Sequence, residues 1–133
     1  MYIYKTKITL QDTDAAGVLF FANQFSIVHR AYEDYMSKIG FPIHSFINNN
    51  DLDIILPIVH ASSDFQLPIF LGDVLSIELN IDKASQTSFE IAYNLKNQND
   101  KTVGSAKTVH VAVNNQTKMK SNLPEKLLKI LSE

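Results

Sequence analysis

Asp12-Thr13-Asp14-Ala15-Ala16-Gly17-Val18-Leu19-Phe20-Phe21-Ala22-Asn23-Gln24-Phe25 joins two different periodicities, and the architecture follows from what lies on either side of it. Upstream, Tyr2 to Leu10 alternates: Tyr2, Tyr4, Ile8 and Leu10 fall on one face and Lys5, Lys7 and Thr9 on the other, the signature of a half-buried strand. Downstream, Asn23 to Ile39 has a helical period. Phe25, Val28, Tyr32, Tyr35, Met36 and Ile39 form an apolar stripe, with His29, Arg30, Glu33, Asp34 and Lys38 on a polar face. Asn23 is the expected cap, and Gly40 followed by Pro42 the expected stop.

Beyond the helix the pattern returns to strands. Residues 43–53 read as a loop, and strand character resumes over Ile54–Phe65, with Pro57 confined to an edge, a bulge or a strand start. Leu67 to Asp73 is a turn. Leu75, Ile77, Leu79 and Ile81 then alternate with polar residues, as do Phe89, Ile91, Tyr93 and Leu95. A further strand covers Thr102–Val113 and ends on Val109, Val111 and Val113, and Leu123–Leu131 reads as a short closing helix. One strand, one long helix and four more strands make an α+β domain spanning residues 1–133. Its five-stranded sheet is mostly antiparallel, and the long helix covers one face.

A chain of 133 residues and 15.0 kDa suits a single domain. With 45% hydrophobic and 20% charged residues it is globular, not disordered. Its formal charge is -2, and Arg30 is its one arginine, so nucleic acid is not an expected partner. No stretch approaches the ~20 apolar residues of a membrane span. The absence of cysteine excludes disulfides, thiolate metal sites and a Cys nucleophile, and it fits a reducing compartment. A cytoplasmic protein is the expectation.

The phosphate-binding, nucleophile-elbow and zinc-binding signatures are all missing from the sequence. The DTDAAG segment fails as a calcium loop because Ala16 and Asn23 stand where ligands belong. His29, His44, His60 and His110 fall on separate elements. No metal and no cofactor is expected. What remains is Asp12 and Asp14 followed by Gly17, at the approach to a helix whose first N–H groups and positive dipole end face that region. A carboxylate beside backbone donors, with aromatics to exclude water, is suited to attack on a polarised carbonyl. Asp is also common in turns, and on spacing alone turn and cap bonding is the commoner explanation of such a pair.

The segment from Asp12 to Met36, between a first strand and a long helix, resembles the signature of the 4-hydroxybenzoyl-CoA thioesterase family of hot-dog proteins. Residues 56–79 are similar to the family's second strand, turn and third strand, and the likeness runs along the whole chain. Within the family, Phe21 to Phe25, His29 with Ala31-Tyr32-Glu33, and Leu56 to Ser62 look most like the hydrolases of 1,4-dihydroxy-2-naphthoyl-CoA in phylloquinone biosynthesis. Relatives acting on short acyl-CoAs commonly carry His where this chain has Phe21, and Tyr is usual where it has Gln24.

The resemblance implies a hot-dog fold and hydrolysis of an aromatic acyl-CoA. Asp14 would be the catalytic carboxylate and Asp12 a structural turn acid. Gly17 would be the motif glycine, and the Phe21 N–H the donor to the thioester carbonyl. Phe20 and Phe21 would bind the flat aromatic acyl group, although at least one of them is expected in the core, and His60 lies where it would reach the site or be held within its strand. The hairpin at Ser85-Gln86-Thr87 lacks the basic residues with which some relatives hold CoA. The partners implied are an acyl-CoA and further copies of the chain, in a homodimer or homotetramer with active sites between subunits. A short- or medium-chain or 4-hydroxybenzoyl-type thioesterase is the alternative, and a non-catalytic acyl-CoA-binding module is the alternative of another class. A hydratase is disfavoured because no His accompanies Asp14.

Overall fold

Alternating apolar residues from Val74 onward build the centre of the molecule. The computed structural model describes residues 1–47 and 53–133; the loop expected around residues 48–51 lies outside them. The main sheet comprises β1 (Tyr2–Lys7), β3 (Ile58–Phe65), β4 (Val74–Ala84), β5 (Ser88–Lys96) and β6 (Thr102–Val111). Its order is β1-β4-β5-β6-β3, with every neighbouring pair antiparallel. Helix α1 (Asn23–Lys38) lies on its inner face, and α2 (Glu125–Leu131) packs against β4. The α+β sheet-and-helix expectation holds.

Leu75, Ile77 and Leu79 of β4 and Phe89, Ile91, Tyr93 and Leu95 of β5 all face the core. From α1 they meet Ile27, Val28, Ala31, Tyr32 and Met36. Phe25 is not in that stripe but 38% exposed, and Gln24, a polar residue, is fully buried in its place. Leu10 is likewise exposed, because β1 stops at Lys7 and residues 10–12 turn into a single 3-10 coil.

Two strand expectations need correction. Ile54–Phe65 is not continuous: β2 (Ile54–Ile55) pairs with β7 (Val113–Asn114) in a separate two-stranded ribbon, and the chain breaks at Pro57 before β3 begins. Pro57 has no N–H to give a ladder, so the break falls where the sequence has nothing to donate. Thr102–Val113 is likewise interrupted: β6 ends at Val111 and Val113 pairs in β7, and the buried face of β6 carries Ala106, Thr108 and His110, with Val109 and Val111 half-buried on the other face. The side-chain period of two makes this an all-or-none choice. His110 lies flat between Tyr32 and Phe89, at ring-centroid distances of 4.3 and 4.7 Å.

Candidate active site

The site is built on the segment between β1 and α1, and Asp12 shapes it. Its buried carboxylate accepts the Thr9 N–H at 2.9 Å and the Thr9 hydroxyl at 3.0 Å. Its own carbonyl accepts the Phe20 N–H at 3.0 Å and the Asn23 side-chain amide at 3.0 Å. Asn23 is therefore not the helix cap: Ala22 holds that position with no side-chain bond, and Asn23 ties the first turn back to the loop. Between Asp12 and Phe20 the loop is a short ribbon, bridged at Thr13–Leu19 and closed by the Asp14 N–H donating to Val18 O at 2.9 Å.

Asp14 stands near the tip of this ribbon, exposed. One carboxylate oxygen accepts the Ala16 N–H at 2.8 Å, leaving the other without a partner among the described residues. Gly17 turns the tip at φ 77°, a left-handed conformation that disfavours any side chain, while a Cβ there would meet nothing within 4 Å. Backbone geometry, and not crowding, therefore calls for glycine. The ribbon rests on the turn between β3 and β4: the Leu71 N–H donates to Gly17 O at 3.0 Å and the Leu19 N–H to Ile69 O at 2.7 Å. Asp73 stiffens that turn by accepting the Phe70 N–H at 2.8 Å.

Neither Phe20 nor Phe21 enters the core; they are 44% and 63% exposed. The helical turn that starts after them carries both rings outward, 4.9 Å apart, and Phe21 meets Phe65 edge-on at 6.4 Å. Phe21 and Phe65 rim an apolar groove of about 310 Å³, lined also by Val18, Leu19, Gln24 and Leu67 among others; Phe20 does not line it. The Phe21 and Ala22 N–H groups, at the approach to α1, have no acceptor among the described residues, whereas the Phe20 and Asn23 amides that flank the pair are bonded.

His60 does not line this groove. It is exposed on β3, level with Val109 of β6. Phe65 and Leu67 were not legible as site residues. The only signal was their place before the Pro68 turn, with Phe65 closing an otherwise polar run of strand.

A model of the thioesterase-like superfamily matches residues 8–131. The chain belongs to that superfamily. Members similar to it include 1,4-dihydroxy-2-naphthoyl-CoA hydrolases of Synechococcus elongatus, 40% identical over 126 residues (95% of this chain and 91% of that protein), and of Rippkaea orientalis, 41% identical over 130 residues (96% and 93%). Among solved structures, a 1,4-dihydroxy-2-naphthoyl-CoA thioesterase from Synechocystis superposes with a TM-score of 0.92 at 31% identity, covering 99% of this chain and 96% of that one. The superfamily match spans the ribbon, the long helix and every strand of the main sheet except β1.

Proposed function

We propose that this chain hydrolyses an aromatic acyl-CoA thioester, and specifically 1,4-dihydroxy-2-naphthoyl-CoA to 1,4-dihydroxy-2-naphthoate and CoA, a step of phylloquinone biosynthesis. The observation that carries the chemistry is the exposed Asp14 carboxylate on the same short ribbon that leads to the unpartnered Phe21 N–H. The acyl group is carried by relatives of that name at 40% identity or more along nearly the whole chain.

Asp14 acts on the thioester carbonyl carbon in one of two ways. As nucleophile, its oxygen bonds to the acyl carbon while the C–S bond breaks and CoA leaves as thiolate; water then cleaves the anhydride, giving the acid and the free carboxylate. As general base, it takes a proton from the water that attacks. A thiolate leaves readily, so the reaction does not call for a general acid. The Phe21 N–H and the dipole of α1 stabilise the developing oxyanion, worth roughly 3–4 kcal/mol for one good donor. The phenylalanine rims of the groove supply the flat apolar walls that an aryl group needs.

The same reading includes an oligomer. β3 is an edge strand, almost wholly exposed on both faces, and its outer edge is unpaired among the described residues. Such an edge is a template for a second strand. The cysteine-free sequence supports a cytoplasmic setting.

The test is thiol release from 1,4-dihydroxy-2-naphthoyl-CoA, benzoyl-CoA and butyryl-CoA. The naphthoyl ester should turn over fastest, with residual activity on the benzoyl ester because apolar pockets discriminate only modestly between similar shapes. Faster turnover of butyryl-CoA would overturn the aromatic assignment. Binding of all three without release would favour the non-catalytic module.

A further inference from the structure

We propose that Gln24 is a positioning residue: it locks the first turn of α1 to the sheet and so fixes where the Phe21 N–H points. The inference rests on the role given to that amide above, and goes beyond it by assigning the residue that holds it.

Gln24 is fully buried, yet it is a carboxamide among apolar side chains. Its side-chain amide donates to the Ser63 hydroxyl at 2.6 Å and to the Asp64 carbonyl at 3.0 Å, both on β3, with the Ser105 carbonyl of β6 at 3.5 Å. Two of these three partners are main-chain carbonyls, which only accept, so the nitrogen must lie on their side and the oxygen on the other. Gln24 Oε1 is then left buried without a donor among the described residues. A buried acceptor without a donor is a net cost, which an aliphatic residue of the same size would avoid. Stability alone therefore does not account for a glutamine here.

The backbone shows what the tie secures. The Gln24 N–H donates to Phe21 O at 3.2 Å and the Asn23 N–H to Phe20 O at 2.8 Å, and α1 has no side-chain cap. The opening turn is thus held by tertiary bonds from two consecutive residues, Asn23 to the ribbon and Gln24 to the ends of β3 and β6. Gly104, on β6, makes the seat. A Cβ there would stand 2.8 Å from Gln24 Nε2 and 3.0 Å from both Gln24 Oε1 and Asp64 O, closer than such atoms pack. The carboxamide and the glycine fit as a pair.

Two variants displace the tie by different routes. Gln24→Met keeps the volume and removes the donors; Gly104→Ala keeps the glutamine and fills its seat. Each should lower kcat on the best thioester by about ten- to a hundred-fold with KM changed by less than about three-fold, the pattern of a lost orientation and not of lost binding. The double variant should be no worse than the more damaging single one, since both act through one displacement. Amide hydrogen exchange at Asn23, Gln24 and Phe25 should quicken by about ten-fold or more in Gln24→Met while the core strands stay protected. A folded Gln24→Met protein with wild-type kcat and wild-type exchange at these amides would overturn the proposal, as would losses that simply multiply in the double variant. If the wild-type protein releases no thiol from any ester, the functional reading fails, and the exchange measurement alone then decides whether Gln24 holds the turn.

Discussion

Asp12 and Asp14 carry the same charge two residues apart, and the fold uses them in opposite ways. Asp12 is 8% exposed and its carboxylate is occupied by both Thr9 donors; Asp14 is exposed and its carboxylate accepts only one bond, from the Ala16 N–H. Asp14→Asn retains an oxygen for the Ala16 N–H, so its melting temperature should stay near the wild-type value. Its kcat should fall at least ~100-fold, with little change in KM. Asp12→Ala strands two donors and should cost about 1–3 kcal/mol of stability. Measuring kcat and melting temperature on both variants separates the two roles, and a fully active Asp14→Asn enzyme would end the mechanism.

His110 makes a second prediction at this scale. Burial, reinforced by the charge of nearby His29, pushes its pKa down to about 3. The native protein therefore resists a proton that the unfolded chain binds below about 6.5. Stability is complete above that pH and is lost as pH falls from 6.5 toward 3, by up to ~1.4 kcal/mol per unit. His110→Phe, stacked between Tyr32 and Phe89, should flatten the melting-temperature profile between pH 6 and 4; an unchanged slope would contradict this. The sequence placed Asp14 and Gly17 in a turn between the first strand and the long helix because turn geometry is local. It did not reveal the burial of Gln24 or His110, whose places depend on strands dozens of residues away.

Among the elements, α1, β4 and β5 were legible because their apolar residues keep one period over most of their length: throughout β5, from Leu75 to Leu79 in β4, and past the first turn of α1. The inward face of β6 is not marked by hydrophobicity, since it carries Gly104, Ala106, Thr108 and His110 while Val109 and Val111 lie half-buried on the other face. Hydrophobicity alone sets phase only where the core side is the more apolar side. β3 was legible as a strand but not as an edge, which depends on topology. Its exposure gives the element-scale prediction. The protein should elute and scatter light as at least a dimer at micromolar concentration, and Val59→Lys, a charge at a site now 60% exposed, should shift it toward monomer. A monomeric wild-type mass would refute the assembly.

At the scale of the whole molecule, the central meander β4-β5-β6 is joined by tight hairpins, whereas β1 must find β4 and β3 must find β6 across long stretches of chain. The ribbon bearing Asp14 depends on the same distant closures, since Gly17 and Leu19 are held by Leu71 and Ile69. Loop-closure entropy makes such contacts slow relative to hairpins. The expected order of assembly puts the meander first, as the nucleus around which the rest gathers, and the Asp14 ribbon among the last parts to find its place. A nascent or partly refolded chain is then expected to have a sheet before it has a site, and the carboxylate proposed to act on the thioester gains its orientation only once the fold around it is closed.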